Sequence, residues 1–450
     1  MTSTALVRAQ DTARRAGYRP GLAAGLEMAA GTAGDHPAVQ QFLERLLPDL
    51  STAEFWSQLD EPRYEPSDRL LVKYGQRVAA HLRLSSRDMR FGASSLPVSR
   101  VVDMATLPEF RGRGCASVLW DVAERKLRRE GVPLALVRAE DAEFYGRRGW
   151  VVCGRTSCSS AGCHQVLAQI QSPAVPRVQP PLDTPLPPLH IRYLRRVELA
   201  ALVRLYEQQI RPAYGSYVRT EADWRWLINR RGFERIYVAI EGSPEIELDG
   251  TFSAIVGYAA TKHARLVELV SAARRPDAAD RLLARFCGDA VEQDLRDIRV
   301  ELPPDHPLHQ TLLAAGGAFC QRQVERGQAF LVKVLDVERL VQALHAEFLR
   351  RLQADQRFAH REFGFVVGDQ SWIFELTPHA SRLTPARVRR TYLRCDWPAF
   401  VQLLLGHLDV GQGVSEGRIW ASNQLALELA GTLFPPLPLW YPPLEDLPAE

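Results

Sequence analysis

Residues 105–119 read ATLPEFRGRGCASVL and join two runs of different character. The run before the junction, VVDMATL (101–107), is predicted to be a strand. The run after it repeats apolar residues at helical spacing from Cys115 to Leu127 and stops at Gly131, which predicts a helix. The sequence Arg-Gly-Arg-Gly at 111–114 therefore lies where a strand passes into a helix.

Such a junction is suited to binding phosphate. Glycines let the backbone approach a ligand closely, and a helix N-terminus presents unpaired N–H groups with a partial positive charge. Arg111 and Arg113 add full positive charges. The segment is therefore predicted to hold a pyrophosphate. It has neither the Gly-Lys-Ser/Thr ending of a P-loop nor the three glycines of a dinucleotide fingerprint.

These residues resemble a known family. RGRGCA (111–116) fits the R/Q-x-x-G-x-G/A signature of the GNAT N-acetyltransferases, and AEFYGRRGW (142–150) resembles a Phe-Tyr element of the same family. The resemblance implies a mixed α/β fold of the GNAT (acyl-CoA N-acyltransferase) type. It implies that the pyrophosphate of acetyl-CoA contacts Arg111, Gly112, Arg113, Gly114, Cys115 and Ala116.

The resemblance also implies catalytic roles. Backbone N–H groups of Met104, Ala105 and Thr106 would polarise the acetyl carbonyl, as in an oxyanion hole. Tyr145 would protonate the thiolate of coenzyme A as it leaves, a role that suits a phenol because it is protonated at neutral pH.

A proline-rich segment divides the chain. Residues 172–190 contain seven prolines and are predicted to be an extended linker. Similar element order on both sides predicts tandem GNAT modules at 25–171 and 191–335, the second a diverged copy. Residues 1–24 are predicted to be a flexible leader, and residues 336–450 a separate α+β domain with a C-terminal tail.

The second module has no equivalent of the glycine motif. At that position it reads SAARRPDAADRLL (271–283), without a glycine. Pro276 lacks an N–H group and Asp277 is negatively charged, so both disfavour a phosphate. We therefore expect residues 191–335 not to bind acetyl-CoA.

The three-part organisation resembles the Eis (enhanced intracellular survival) group, in which the third domain is similar to sterol carrier proteins. The resemblance implies a homo-oligomer, a hexamer in that group, and a terminal carboxylate that acts as the base. Because this chain ends in LEDLPAE, the alternatives are the α-carboxylate of Glu450 and the side chains of Asp446 and Glu445. Glu140, at the end of the predicted strand PLALVRA, is either a fourth candidate for the base or a solvated surface charge.

The predicted function is acetyl-CoA-dependent N-acetylation of a primary amine by direct attack in a ternary complex. The acceptor would be an aminoglycoside-like molecule, a polyamine or a lysine. The alternative is a binding protein that holds a lipid or small molecule in the sterol-carrier-like domain and uses the GNAT module as a scaffold. Four aromatic residues are candidates for an acceptor pocket, although packing is the commoner explanation of their spacing: Phe55, Trp56, Trp224 and Trp226.

Composition places limits on these hypotheses. Hydrophobic residues make up 46% and charged residues 24%, as in soluble globular proteins. A net charge of +3 gives no reason to expect a nucleic-acid partner. No run reaches about 18 apolar residues and no secretory signal is recognisable, so a cytoplasmic protein without a membrane span is expected. The segment CGRTSCSSAGCH (153–164) lacks the paired spacing of structural zinc ligands, so no metal is expected.

Overall fold

The computed structural model describes residues 21–48, 50–172, 186–242, 254–322, 324–325, 328–353 and 363–449. They form two compact units. Unit 1 is drawn from Met1–Phe55, Arg63–Gly154 and Gln323–Leu439, and unit 2 from Trp56–Pro62, Arg155–Arg322 and Trp440–Glu450. Within the described ranges, no helix combines the length and the apolar character needed to cross a bilayer.

The strands are numbered in chain order. They are β1 (Leu26–Ala30), β2 (Arg69–Tyr74), β3 (Arg77–Phe91), β4 (Ser94–Thr106), β5 (Leu134–Ala139), β6 (Val151–Val152), β7 (Thr156–Gly162), β8 (Leu189–Tyr193), β9 (Tyr214–Tyr217), β10 (Arg235–Glu241), β11 (Ile255–Lys262), β12 (Arg265–Ser271), β13 (Asp297–Val300), β14 (Ala318–Arg322), β15 (Val324–Glu325), β16 (Gln328–Val334), β17 (Phe363–Val367), β18 (Gln370–Leu376), β19 (Ser381–Pro385), β20 (Tyr392–Cys395) and β21 (Ile419–Ala421).

The α-helices are numbered in the same way. They are α1 (His36–Leu46), α2 (Thr52–Leu59), α3 (Cys115–Arg129), α4 (Ala142–Gly146), α5 (Cys163–Gln171), α6 (Leu199–Ile210), α7 (Glu221–Asn229), α8 (Asp277–Glu292), α9 (Leu308–Ala314), α10 (Val337–Ala343), α11 (His345–Gln353), α12 (Trp397–Leu404), α13 (Val410–Ser415) and α14 (Gln424–Leu433). Short 3-10 turns occur at Ala33–Asp35, Pro66–Asp68, Pro108–Phe110, Arg196–Glu198 and Leu444–Asp446.

The first sheet of unit 1 follows the order β1-β2-β3-β4-β5-β16-β15, and β6 also pairs with β16. All of these neighbours are antiparallel except β4 and β5, which are parallel. Helix α3 connects the parallel pair and buries one face, with Leu119, Trp120, Ala123 and Leu127 on the inside. Each large apolar side chain buried in this way stabilises the unit by about 1.5–3 kcal/mol.

A second sheet in unit 1 has the order β19-β18-β17-β20-β21. One of its faces carries a phenylalanine cluster with rings from β17, β18, α11, α12 and the residue that follows α14. Ring centroids in this cluster lie 5.0–6.5 Å apart, as in a packed aromatic core. The cluster consists of Phe348, Phe363, Phe365, Phe374, Phe400 and Phe434.

The sheet of unit 2 has the order β14-β7-β13-β12-β11-β10-β8. It has a single parallel pair, β12 and β13, and α8 lies between these two strands in the chain. The first sheet of unit 1 has the same plan: antiparallel strands, one parallel pair with a helix between its members, then an antiparallel partner. The structure is therefore a GNAT-like mixed α/β fold with several sheets, as the sequence predicts.

The compact units do not follow the boundaries predicted at residues 171 and 335. β7 lies in unit 2 because it pairs with β13 and β14. β16, expected in the second module, pairs instead with β5 and β6 of unit 1. The predicted third domain is also divided, because residues up to Leu439 belong to unit 1 and Trp440 onward to unit 2. Pairing between distant segments produces these differences.

Two other predicted segments lie partly outside the described residues. The leader at 1–24 is described only from residue 21, and residues 173–185 of the proline-rich segment are not described. The last two residues assigned to that segment, Leu189 and His190, belong to β8 and pair with β10.

Candidate cofactor and catalytic site

The parallel strands β4 and β5 diverge towards their C-terminal ends. They pair from Val98 with Leu134 as far as Val101 with Val137. Beyond that point β4 stays paired with β3 through Thr106, and β5 stays paired with β16 through Ala139. A gap therefore opens between the two strands, and residues 102–106 form one of its edges.

A β-bulge marks the edge of the gap formed by β4. Asp103 has a φ of +52°, and the register between β3 and β4 shifts between His81 and Arg83. The Asp103 carboxylate accepts a hydrogen bond from Arg83 Nε at 3.2 Å. A bulge re-aims the residues that follow it, which here are the predicted oxyanion-hole residues from Met104 to Thr106.

The predicted phosphate cradle lies in the turn from β4 to α3. Gly112 and Gly114 have φ values of +74° and +84°, which other residues rarely adopt. Gly114 immediately precedes α3, and no side chain caps the first N–H groups of this helix. These groups are oriented as an anion-binding helix end requires.

Both cradle arginines are exposed, and neither forms an ion pair with a residue that the structure describes. The Arg113 guanidinium lies 5.4 Å from the centre of the Phe110 ring. Arg111 Nε donates to the carbonyl of Thr106 at 3.4 Å, which ties the cradle to the end of β4. Two unneutralised cations beside a helix N-terminus give this turn the electrostatics of a pyrophosphate site.

Tyr145 lies on α4, which follows β5 across the gap. Its hydroxyl group donates to Met104 Sδ at 3.7 Å, so the side chain spans from the β5 side to the end of β4. Trp120 and Trp150 contact the tyrosine ring edge-on, with centroids 5.6 and 5.8 Å away. Because a thioether is a weak acceptor, the hydroxyl proton is available to a ligand.

The environment of Tyr145 keeps it protonated. The residue is 9% exposed. Burial raises the pKa of Tyr145 to about 12; the positive charge of Arg148 opposes this increase, and the negative charge of Asp141 adds to it. Asp141 also caps α4 by accepting from Phe144 N at 2.8 Å, which fixes the helix that carries the tyrosine.

Arg148 and Lys333 hold this region together, and sequence reasoning missed both. Arg148 donates to Ser117 Oγ on α3 at 3.0 Å and lies over the Phe144 ring at 4.0 Å. Lys333 on β16 donates to the carbonyl of Arg148 at 2.7 Å and forms a buried ion pair with Glu124 on α3. Lys333 is far from the motif in sequence, so no local pattern could identify it.

The structure separates the predicted base candidates. Glu445 is buried in unit 2, where it accepts from Arg219 Nε at 2.7 Å, and Asp446 accepts from the Tyr441 hydroxyl at 3.1 Å. The Glu445 carboxylate thus forms a buried ion pair with Arg219. Glu450 lies outside the described residues. Glu140 is exposed directly after β5, at the same end of the parallel pair as Met104.

The corresponding helix start in unit 2 has different chemistry. α8 begins at Asp277, preceded by Pro276. Arg275 is buried and forms ion pairs with Asp277 at 2.8 Å and Glu241 at 2.6 Å. Hydrogen bonding to Arg275 lowers the pKa of Asp277, so the first turn carries a negative charge at neutral pH. This helix start is unfavourable for phosphate, as the sequence indicates.

Three of the four aromatic residues considered for an acceptor pocket are buried in the protein core. Trp224 and Trp226 are buried in the core of unit 2, and Phe55 is buried in unit 1 beneath the Arg69 guanidinium at 4.6 Å. Packing therefore explains these three, whereas Trp56 is exposed. Among the residues that the structure describes, no three His, Cys, Asp or Glu side chains are grouped so that they could hold a metal ion.

Comparisons with known proteins bear on this site. Residues 30–153 match a family model described as an acetyltransferase (GNAT) domain. This range contains β4, the cradle, α3, β5 and Tyr145. The chain has no match among curated protein sequences.

Solved structures share the fold over almost the whole chain. A GCN5-related N-acetyltransferase from Anabaena variabilis has a TM-score of 0.69 at 14% identity, covering 92% of this chain and 99% of its own. One from Kribbella flavida has a TM-score of 0.66 at 16% identity, covering 91% and 95%. Eis1 from Mycobacterium abscessus has a TM-score of 0.60 at 18% identity, covering 91% and 97%. At these identities the likeness shows a common fold.

Proposed function

Because residues 30–153 form a GNAT acetyltransferase domain, we propose that this chain transfers an acetyl group from acetyl-CoA to a primary amine. The observation that carries the proposal is the gap between β4 and β5. Around it lie a helix N-terminus without a side-chain cap, two arginines that form no ion pair with a described residue, a bulged strand edge and a buried, protonated tyrosine. These are a phosphate site, a source of N–H donors for the carbonyl oxygen and a hydroxyl donor for the leaving sulfur, and thioester aminolysis can use all three.

The proposed reaction is a direct transfer. The amine nitrogen attacks the thioester carbonyl carbon, and the negative charge that develops on the oxygen is stabilised by N–H donors at the end of β4. The carbon–sulfur bond then breaks and coenzyme A leaves as a thiolate. The amide nitrogen loses one proton, and the sulfur finally gains one.

The pKa of Tyr145 refines its predicted role as the acid. A thiol has a pKa near 8.5, so a phenol at about 12 is the weaker acid by roughly 3.5 pKa units, or about 5 kcal/mol. Complete transfer of the phenolic proton is therefore unfavourable. We propose that Tyr145 donates a hydrogen bond to the departing sulfur and that the final proton on sulfur derives from the amine.

For the base we propose Glu140. Its carboxylate is exposed at the C-terminal end of β5 and forms no ion pair with a described residue. The C-terminal ends of parallel strands lie at the same edge of a sheet, so Glu140 lies at the edge where β4 ends. An amine that reaches the thioester there could pass its proton to this carboxylate, directly or through water.

We expect Glu140→Gln to lower kcat/KM about 100-fold at neutral pH. The loss should shrink as the pH approaches the pKa of the amine, because the acceptor then arrives already deprotonated. Steady-state rates across pH 6–10 test this, with Glu143→Gln on α4 as the matched exposed control. An unchanged rate for Glu140→Gln at neutral pH would reject Glu140 as the base and leave Asp446 and Glu450 as the candidates.

The cofactor site itself is tested by binding. Acetyl-CoA at about 100 times its Kd should stabilise the wild type by ~2.7 kcal/mol in thermal melting. The double variant Arg111→Glu, Gly114→Asp should show no such shift, because it puts negative charge at the helix end and a side chain where φ is +84°.

The matched control lies at the corresponding helix start of unit 2. Arg274→Glu also reverses an exposed arginine, and it should leave the shift intact because we propose no cofactor there. Loss of the shift in Arg274→Glu alone would place acetyl-CoA in unit 2. No shift in the wild type would reject the transferase proposal and favour the binding-protein alternative.

The phenylalanine cluster of unit 1 does not favour the alternative of a lipid-binding protein. The six rings of the phenylalanine cluster contact one another between the sheet and its helices, which is the arrangement of a filled core. We therefore propose that the phenylalanine cluster and its sheet stabilise unit 1 and do not hold a lipid.

A further inference from the structure

A buried histidine lies directly behind the β-bulge. His81 on β3 is 0% exposed. Its Nδ1 is 2.7 Å from the carbonyl oxygen of Asp103, and its Nε2 is 3.2 Å from a terminal nitrogen of Arg69. The histidine thus connects a fixed cation to the backbone of the bulge.

The position of the proton on His81 follows from these partners. A guanidinium group can only donate, so Nε2 must accept from Arg69. The remaining nitrogen, Nδ1, then carries the proton and donates to the carbonyl of Asp103. Burial and the positive charge of Arg69 lower the pKa of His81 to about 3; the bond to Asp103 and its charge oppose this decrease, and Arg83 adds to it. The ring is therefore neutral at physiological pH.

Arg69 is itself fixed on its other side. Its Nε donates to the Tyr64 hydroxyl at 3.0 Å, and that hydroxyl is also hydrogen-bonded to His36 Nε2 at 2.8 Å. The guanidinium also lies over the rings of Phe55 and Tyr64. Because arginine keeps its proton at any physiological pH, the bonds that Arg69 donates to Tyr64 and His81 cannot reverse direction.

The bulge explains why a side chain is needed here. In the register of β3 and β4, His81 pairs with Ala105 and Arg83 with Val102, so Asp103 and Met104 have no paired residue on β3. The Asp103 carbonyl therefore receives the His81 side chain in place of a ladder N–H group. Asp103 has a φ of +52°, which is a strained conformation for a residue other than glycine. Without the bond from His81, the backbone at Asp103 could relax to a less strained conformation.

The peptide that follows Asp103 is planar and trans, so its C=O and N–H groups point in opposite directions. The C=O group points to His81 on β3. The N–H group of Met104 therefore points to the other edge of β4, where β5 has diverged. We propose that His81 is a positioning residue that locks this peptide so that the Met104 N–H group faces the gap as the oxyanion donor.

This inference rests on the proposed transferase function. It predicts that losing the Nδ1 donor removes one oxyanion-hole contact. We expect His81→Leu to lower kcat about 100-fold or more, while KM for acetyl-CoA changes less than about 3-fold. His81→Asn places an amide donor near the position of Nδ1, and it should recover kcat to within about 10-fold of the wild type.

The rescue separates positioning from structure, because both variants remove the ring and its packing against Phe42. An unchanged kcat in His81→Leu, or equal losses in the two variants when both melt like the wild type, would overturn the proposal. Long-range ¹H–¹⁵N correlations of the histidine rings test it in the wild type, without any variant. A His81 signal of the Nδ1–H tautomer throughout pH 5–9 supports it, and an Nε2–H tautomer or an imidazolium contradicts it.

The two proposals fail in different ways. A wild type that transfers acetyl to no amine rejects the proposed function, and the tautomer of His81 still decides the geometry. An active wild type whose His81→Leu variant is equally active leaves the transferase proposal in place and rejects the role of His81.

Discussion

The Tyr145→Phe variant should retain the fold and the cofactor site but lose about 10²–10³-fold in kcat. The residual rate reflects the cradle and the N–H donors of β4, which the substitution does not touch. Steady-state kinetics with acetyl-CoA and a primary amine measure the loss, and binding of acetyl-CoA alone should be unchanged within about 2-fold.

The surroundings of the ring allow Tyr145→Phe to remove the hydroxyl group without disturbing the packing. Trp120 and Trp150 both contact the aromatic ring in an edge-on arrangement, and phenylalanine keeps these contacts. The hydroxyl group has one described partner, the Met104 thioether at 3.7 Å, so its removal sacrifices little stability. A large kinetic loss with an unchanged melting temperature can then be assigned to the hydroxyl group.

Tyr74→Phe provides the control. Tyr74 is exposed in unit 1, and its ring lies 5.7 Å from Phe110, close to the cradle. This variant removes the same atom outside the gap, so its kcat should equal that of the wild type. If Tyr145→Phe behaves like Tyr74→Phe, the leaving sulfur obtains its hydrogen bond elsewhere and Tyr145 has only a packing role.

The second large effect concerns stability. Arg219→Met should destabilise unit 2 by about 3–5 kcal/mol, because it leaves buried carboxylates without their cation. Arg219 is buried, bonds both oxygens of Glu268 at 2.7 Å and donates to Glu445 at 2.7 Å. Burial alone would lower the pKa of Arg219, but the two carboxylates reverse this effect and raise it.

Denaturant unfolding followed by tryptophan fluorescence measures this loss. Trp224 is a suitable reporter because the Arg219 guanidinium lies 4.8 Å from its ring centre. The triple variant Arg219→Met, Glu268→Leu, Glu445→Leu should recover most of the stability, since apolar groups can replace a complete buried ion cluster. No recovery in the triple variant would show that shape, and not uncompensated charge, causes the loss.

The exposed pair of Glu207 on α6 and Arg211 directly after it supplies the matched control, with 3.9 Å between its charged groups. Arg211→Met removes the same type of side chain from the same unit. Its effect on the free energy of unfolding should stay within about 0.5 kcal/mol. A comparable loss in both variants would contradict the argument from burial.

The same cluster fixes the end of the chain within unit 2. Arg230 donates to the carbonyls of Glu445 and Leu447, and Lys262 donates to the carbonyl of Pro448 at 3.2 Å. These contacts join residues more than 180 positions apart. The sequence predicts a proline-broken tail there, but it carries no local pattern that names the partners of the tail.

The cradle was predictable because its signals are local. Two glycines with positive φ, two arginines and a helix of periodic apolar residues all lie within about thirty positions, and the structure has Cys115–Arg129 as that helix. The bulge at Asp103 left a weaker signal, a charged residue inside an apolar strand. The role of His81 could not be predicted, because a single histidine in a strand does not indicate which backbone group it will contact.

Sheet membership could not be predicted, because it depends on pairing across the chain. β7 and β16 both follow the pattern of ordinary strands. The sequence places β7 in the module at 25–171 and β16 in the module at 191–335. Hydrophobic alternation specifies that a strand is half-buried but not which edge it joins.

The membership of β16 has a consequence for biosynthesis. β5 ends at Ala139, and its neighbour β16 begins at Gln328. At 5–20 residues per second, a ribosome needs about 10–40 s to make the intervening chain. During this time the growing polypeptide presents an unpaired apolar strand edge, and Lys333 has not yet reached the carbonyl of Arg148. The N-terminal half is therefore most vulnerable to aggregation while it is still being translated.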